Sequence, residues 1–242
     1  DIQGQIIEGG VSNMNRVEEG YNVGVFFTPE FAGVDPANGN ALFYKNTKKA
    51  DGTRDRTTTS VYSEAQRVVV GDPNPDLIFG FTNNFSYKGF DMSVFFNGIQ
   101  GNQNNIYGMG RYSSASMLYE DNNTADQLRR WQKPGDVTDI PQVRLYRVNG
   151  SQASSRYIVD GAYIRLRTVS LGYTFDNKLL SKFKMDKVRV YVSGQNLMTF
   201  TKYPYWDPEV NADSFDSNIA KGNDFYTPPQ PKTILFGINV SL

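Results

Sequence analysis

The last nine residues of the chain alternate without interruption. Ile234, Phe236, Ile238, Val240 and Leu242 are apolar, and Leu235, Gly237, Asn239 and Ser241 stand between them. Successive side chains of a strand point to opposite faces, so this segment has one wholly apolar face. A face of that kind must be covered, either by a second protein layer or by lipid. The same period of two runs through 188–200. There Val188, Val190, Val192, Met198 and Phe200 share one face, and Arg189, Tyr191, Ser193, Gln195 and Thr199 share the other. Gly194 and Asn196 fall in the apolar register and leave that stripe imperfect.

Two further strands flank the tight turn Tyr87-Lys88-Gly89, which reads as a hairpin. Leu77, Phe79, Phe81, Phe85 and Tyr87 face one way, followed by Phe90, Met92, Val94 and Phe96. A fifth strand runs from about Ala162 to Phe175 with a change of phase. Ile164 and Leu166 are even, whereas Val169, Leu171, Tyr173 and Phe175 are odd, which places a bulge near Arg167-Thr168 or takes one end out of register. Upstream, the pattern predicts a strand at Tyr21 to Phe31, a turn at Asp35-Pro36-Ala37-Asn38-Gly39 and a shorter strand at Ala41 to Tyr44. Within the polar segment from Gly101 to Ser155, Asn123 is placed to cap a short helix through Trp131. Ala125, Leu128 and Trp131 would lie on one side of it, and Pro134-Gly135 would end it.

The connections differ in length in an ordered way. Tyr87-Lys88-Gly89 is short and Asp176 to Lys187 moderate, whereas Gly101 to Ser155 and Tyr203 to Pro231 are long. Short turns at one rim and long loops at the other are the pattern of an outer-membrane barrel. No Lys or Arg stands on the apolar face of the final two strands, where one at the bilayer midplane would cost about 2–4 kcal/mol. A soluble antiparallel sandwich also alternates, but its long loops are not confined to one rim.

Composition removes other classes. With 25 Lys+Arg against 25 Asp+Glu, the net charge is zero, and the basic surface that nucleic-acid binding requires is absent. The chain has no Cys and no His, so thiolate metal sites, disulfides and His-based catalysis are unavailable. A mean hydropathy of -0.50, with no long apolar run, excludes helical membrane spans but says nothing against barrel strands. Asp1 to Gln5 shows neither an initiating Met nor a secretion signal, so the chain is expected to be mature or a piece.

Candidate sites are few. The pairs Asp51/Asp55, Asp136/Asp139 and Asp213/Asp216 read as solvated loop carboxylates. Asp121, Asn123 and Asp126 lack the Gly and terminal Glu of a calcium loop. Neither enzymatic activity, nor a metal, nor a cofactor is expected. The aromatic groups Tyr107/Tyr112, Trp131, Tyr203/Tyr205/Trp206 and Phe225/Tyr226 all fall in the long loops. Stacking on a sugar ring, packing against a lid protein, headgroup belts and ordinary loop cores all account for such groups. Tyr203, Tyr205, Trp206 and Asp207, with Trp131, are the first choice for substrate or lid contact. Val188, Val190, Val192, Ile234, Phe236, Ile238, Val240 and Leu242 are assigned to lipid.

Several blocks together resemble the SusC/RagA family of TonB-dependent outer-membrane transporters. They are Gly71-Asp72-Pro73-Asn74-Pro75-Asp76, the hairpin from Phe85 to Phe96, Ser155 to Arg167, Val169-Ser170-Leu171-Gly172-Tyr173, Arg189 to Leu197, Asp207-Pro208-Glu209-Val210 and the closing Phe236 to Ser241. In order and spacing they cover about 68–242, and Gly33-Val34-Asp35-Pro36 with Gly39 extends a weaker match upstream. The resemblance implies an all-β fold: the C-terminal strands of a large, 22-stranded plugged barrel, whose plug domain and first strands lie outside these 242 residues. It implies glycan or peptide import across the outer membrane of a Gram-negative, Bacteroidota-type cell. The partners it implies are a SusD-like surface lipoprotein as lid, the TonB complex, the remainder of the barrel and outer-membrane lipid. In that setting Arg189, on the lumen face, would pack against the plug or point to water, the former being favoured. The terminal Leu242 departs from the aromatic residue that often closes the family's chains. A stand-alone small barrel or a surface adhesive or glycan-binding β-protein is the alternative, and self-closure requires a strand near the N-terminus to pair with Thr233 to Leu242.

Overall fold

The structure, a computed structural model, describes residues 4–113, 122–144, 147–175, 180, 185–212 and 218–241. Its strands are β1 (Ile7–Gly9), β2 (Asn15–Val17), β3 (Val25–Pro29), β4 (Phe31–Val34), β5 (Ala41–Tyr44), β6 (Thr58–Thr59), β7 (Arg67–Gly71), β8 (Leu77–Tyr87), β9 (Phe90–Gln100), β10 (Gln103–Asn105), β11 (Ile158–Asp160), β12 (Tyr163–Thr174), β13 (Lys187–Thr201) and β14 (Thr233–Ser241). They divide between two units. The sheet unit comprises Pro75–Gly101, Ala162–Pro208 and Pro228–Leu242; the loop unit comprises Asp1–Asn74, Asn102–Gly161 and Glu209–Thr227.

The sheet unit is one antiparallel sheet in the order β14-β13-β12-β9-β8. Its hairpin turn is Lys88-Gly89, with φ of 45° and 88°. Two positive φ angles in a two-residue loop match the twist of the flanking strands, and Gly supplies the second at no steric cost. Register then sorts every side chain. Phe85, Met92, Leu171, Val192 and Phe236 form one row across all five strands, and Tyr87, Phe90, Tyr173, Val190 and Ile238 form the next on the same face. The opposite face carries rows such as Asn84, Ser93, Ser170, Ser193 and Leu235.

The phase change expected near Arg167-Thr168 is a bulge, since β12 shifts register between Leu166 and Thr168 against both β9 and β13. On β13 the shift passes through Asn196, whose φ is 51° and whose Nδ2 donates to the Pro231 carbonyl. The bulge also mends the stripe. A Cβ added to Gly194 would lie 2.8 Å from both methyls of Leu197, so Leu197 covers the place where Gly194 offers no side chain. Met198 and Phe200 thereby stay in the rows of Leu166 and Ile164. Among the described residues β14 pairs with β13 alone, so the pairing that self-closure requires is not formed, and β8 and β14 are the edges of an open sheet.

The loop unit holds a four-stranded sheet (β1-β2-β3-β7), a three-stranded sheet (β4-β5-β6) and the β10-β11 pair. The strand expected at Tyr21 to Phe31 is instead divided. Gly24 takes φ 84°, and a Cβ there would meet the Ile219 carbonyl at 2.7 Å, so extended structure starts only at Val25 and is broken again between Pro29 and Phe31. The turn at 35–39 and the strand Ala41–Tyr44 form as expected. Asp35 Oδ1 accepts the Ala37 N–H, the Asp35 carbonyl accepts the Gly39 N–H at 2.8 Å, and Gly39 takes φ 72°. The helix expected from Asn123 to Trp131 is a 3-10 turn, Ala125–Arg129, that follows Thr124. With three residues per turn its side chains do not follow the α-helical stripe, and Leu128 is 75% exposed while Trp131 is buried.

Apolar packing in this unit is local. Phe43 meets Phe31 and Tyr62 edge-on at 5.8 and 5.3 Å. Elsewhere the interior mixes apolar side chains such as Met14, Phe26 and Tyr157 with buried amides. Asn223 Nδ2 donates to Asn15 Oδ1 at 2.9 Å, Asn105 Nδ2 donates to Asn223 Oδ1 at 2.8 Å, and Asn15 Nδ2 donates to the carbonyls of Gly24 and Lys221. All three asparagines are fully buried. Buried amides are tolerated because they are hydrogen-bonded, and each one ties together backbone segments that share no regular structure.

Candidate functional site

The sheet unit orders two features that bear on function. The first is its apolar face. At the hairpin end Tyr87, Phe90 and Tyr173 share a row, with the Phe90 and Tyr173 rings 4.6 Å apart. Toward the long-loop end Phe81 pairs with Phe96, and Phe79 and Phe200 lie in the row of Ile164. Between them lie Met92, Val94, Val169, Leu171 and Val192, in rows that also hold Asn83, Phe85 and Phe236. From Phe79 to Tyr87, at about 3.4 Å per residue, the distance is about 27 Å along the strand. Val188, Val190, Val192, Ile234, Phe236, Ile238 and Val240 all lie on this face, and Phe236 is 83% exposed. Leu242 falls outside the described residues.

On the opposite face Arg189 pairs with Asp91 of β9. Its Nε and Nη2 donate to the two carboxylate oxygens at 2.9 and 2.5 Å. Gly172 stands between them, and any side chain there would strike the Arg189 guanidinium. Gly237 does the same for Tyr191, whose ring lies over it. Small residues in the inward register beside Arg and Tyr are the signal that a sequence reading could use to find such crossings.

The second feature is the connection that leaves β13. Asp207 is buried and paired with Arg165 of β12 at 2.5 Å, and the two side chains are 7% and 1% exposed. Asp207 Oδ2 also accepts the backbone N–H of Gln230 at 3.1 Å, which holds the two ends of this connection together. Thr201 Oγ1 donates to the Ala162 carbonyl and accepts the Tyr203 N–H. Of the aromatics chosen here, Tyr203 is buried, Tyr205 is half-buried against it with ring centroids 6.4 Å apart, and Trp206 is 53% exposed. The sequence reading singled out Asp207 but missed Arg165, its partner on another strand.

In the loop unit Trp131 is a packing residue. Its indole N–H donates to the Pro36 carbonyl at 3.0 Å, and its ring fills the space that Gly39 leaves open. Tyr107, Tyr112, Phe225 and Tyr226, distant in sequence, meet in one cluster. Tyr107 stacks on Phe225 at 5.3 Å, Tyr112 packs edge-on against both, and Tyr226 touches Phe225 at 5.0 Å. Phe225 is 40% exposed. The carboxylates read as solvated serve turns. The hydroxyl and N–H of Thr53 hold Asp51, the N–H and hydroxyl of Thr57 hold Asp55, and the N–H groups of Gln132 and Lys133 hold Asp136 below the usual carboxylate range. Asp126 is bonded to Thr124 and Arg129; Asp121, Asp213 and Asp216 lie outside the described residues. Among the described residues no three acidic, Cys or His side chains gather as metal ligands.

These features coincide with a known class of protein. No protein-family model matches the chain. It is 35% identical over 235 residues to TonB-dependent receptor P3 of Formosa agariphila, a match that covers 93% of this chain and 22% of that protein. TonB-dependent receptor SusC of Bacteroides thetaiotaomicron is 25% identical over 195 residues, covering 78% of this chain and 17% of SusC. Among solved structures, that of the RagAB peptide importer in the closed-closed state matches with a TM-score of 0.76 at 25% identity, over 94% of this chain and 24% of that one. The open-open state also gives a TM-score of 0.76, at 25% identity over 95% of this chain and 23% of that one. The fold is an antiparallel barrel portion of the TonB-dependent receptor class. Within that class the chain is SusC/RagA-like, and it spans about a quarter or less of the length of the relatives it matches.

Proposed function

We propose that the chain forms the C-terminal part of the barrel of an outer-membrane importer that takes up a glycan or a peptide. The observation that carries this reading is the exposed apolar face of the sheet, with its tyrosines and phenylalanines concentrated toward the two ends, and polar rows on the reverse. This is the lipid-facing pattern of an outer-membrane barrel, whose apolar band is about 25 Å tall. The remaining strands, completing about 22, would pair at the free edges of β8 and β14. A SusD-like surface lipoprotein is the lid, and TonB supplies the energy by acting on a plug domain. Trp206, with Tyr205 beside it, is the proposed contact for substrate or lid, held in place by Tyr203 and Asp207. Trp131 supports its loop from within.

The test is uptake by cells that carry the full-length protein. Accumulation of the nutrient must disappear when TonB is deleted, and Trp206→Ala must lower it without lowering the amount of protein in the membrane. Uptake indifferent to TonB would overturn the import reading. The alternative of a stand-alone small barrel predicts a polypeptide of 27.2 kDa in the membrane; the proposal predicts a denatured mass several times larger.

A further inference from the structure

We infer that a pocket in the loop unit, ringed by Arg144, Arg147 and Arg156, binds one oxyanion, a carboxylate or a sulfate group carried by the imported molecule. This rests on the import reading above, and adds the charge of the cargo to it. The pocket is a narrow notch whose enclosed space is about 10 Å³, room for one small group, and among the described residues no carboxylate lines it. Its other walls include Gln127, Asn149 and Ser151, all neutral.

Two of the arginines are held in place by neutral groups. Arg144 donates from Nε to Gln142 Oε1 at 3.1 Å and from Nη2 to Asn40 Oδ1 at 2.6 Å, which leaves Nη1 without a partner among the described residues. Arg156 donates from Nη1 to the Gly150 carbonyl and to the Tyr157 hydroxyl, which leaves Nε and Nη2. Arg147 is exposed, and among the described residues its backbone N–H donates to the Arg144 carbonyl. Behind the wall a fourth guanidinium, Arg111, is 7% exposed and donates from Nε to the Ser151 carbonyl at 2.7 Å. Among the described residues none of the four forms an ion pair.

Three guanidiniums that line one pocket with no carboxylate beside them make it locally positive. An incoming oxyanion supplies the missing counter-charge. The planar fork of arginine suits the paired oxygens of carboxylate and sulfate, and the neutral bonds already made by Arg144 and Arg156 leave little side-chain freedom to lose on binding.

The test uses the purified full-length transporter, with sodium sulfate and sodium acetate as probes, titrated at constant ionic strength made up with sodium chloride. At least one probe is expected to raise the melting temperature along a saturable curve, and which one does so separates sulfate from carboxylate. Arg147→Glu places a carboxylate at the mouth and is expected to weaken the apparent affinity at least tenfold, while Arg147→Lys retains binding in weaker form. A linear response to both probes, or an unchanged curve in Arg147→Glu, overturns the inference. The titration needs no TonB, so failure of the import reading would show separately, as uptake that survives TonB deletion.

Discussion

The sheet unit and the loop unit of this protein are held together by different physics. In the sheet, strands of 9 to 15 residues repeat one pattern, and a slip of one residue would turn every apolar row to the wrong side. In the loop unit short strands and apolar side chains such as Phe26 and Phe43 are supplemented by buried single bonds between distant segments. Asn223 reaches Asn15 across 208 residues of sequence and Asn105 across 118. Trp131 bonds to Pro36 across 95, and the Phe31 N–H donates to Ser155 Oγ across 124. A periodic region tolerates local change as long as the period survives, whereas a region tied by single amides loses a whole crossing with each one removed.

The largest expected effect falls where the sheet's periodic order meets a point contact. Asp207→Ala removes the carboxylate paired with the buried Arg165 guanidinium, a change that costs about 3–5 kcal/mol. It should lower the melting temperature and open the connection between β13 and β14 to protease. Arg165→Met combined with Asp207→Leu should recover most of the loss, and failure to do so would mean that the pair contributes more than the removal of its own charges. Next comes Val190→Arg, which puts a charge in the proposed lipid face at about 2–4 kcal/mol and should remove the protein from the heat-modifiable, membrane-inserted form on gels. Its neighbour makes the contrast. Arg189→Val gives up a half-exposed ion pair with Asp91, worth about 0–1 kcal/mol, and should insert normally.

Asn223→Ala separates the two units. It strips partners from Asn15 and Asn105 at about 1–3 kcal/mol, and should speed hydrogen exchange in the loop unit while β8, β9 and β12 to β14 stay protected. Uniform loosening of both units would erase the distinction drawn here. The smallest effect is acid sensitivity at Glu30, which the paired bonds from Arg56 hold below its ordinary carboxylate range. A lowered folded-state pKa means the contribution is present above about pH 4.5 and is lost as pH falls through the folded value. The pair is partly exposed, so the loss should stay under about 1 kcal/mol, and Glu30→Gln should flatten that part of a stability curve between pH 5 and 3.

The same contrast explains what could be read in advance. Five strands, the hairpin at Lys88-Gly89 and the bulge after Leu166 were legible because a sheet with one buried or lipid-covered face imposes a period of two on its residues. The phase change from Leu166 to Val169 was visible as a break in that period. The covering of Gly194 by Leu197 was not, since it depends on a left-handed Asn196. In the loop unit Asn15, Asn105 and Asn223 carry no periodic mark, because an amide that bonds to a distant carbonyl follows no local rule. Asp207 stood out beside a Pro and an aromatic run, yet Arg165 could be paired with it only once strands β12 and β13 were in register. Trp131 was noticed for its ring and assigned to contact, whereas a buried indole N–H on Pro36 makes it a strut.

The central claim is that alternate residues of β13 face lipid. Single cysteines placed in turn at 188–193 in a cysteine-free full-length protein, spin-labelled and reconstituted in bilayers, test it most directly. The account predicts high oxygen and low nickel-chelate accessibility at Val188, Val190 and Val192, and the reverse at Arg189, Tyr191 and Ser193. Accessibility without a period of two, or with the opposite phase, would contradict it.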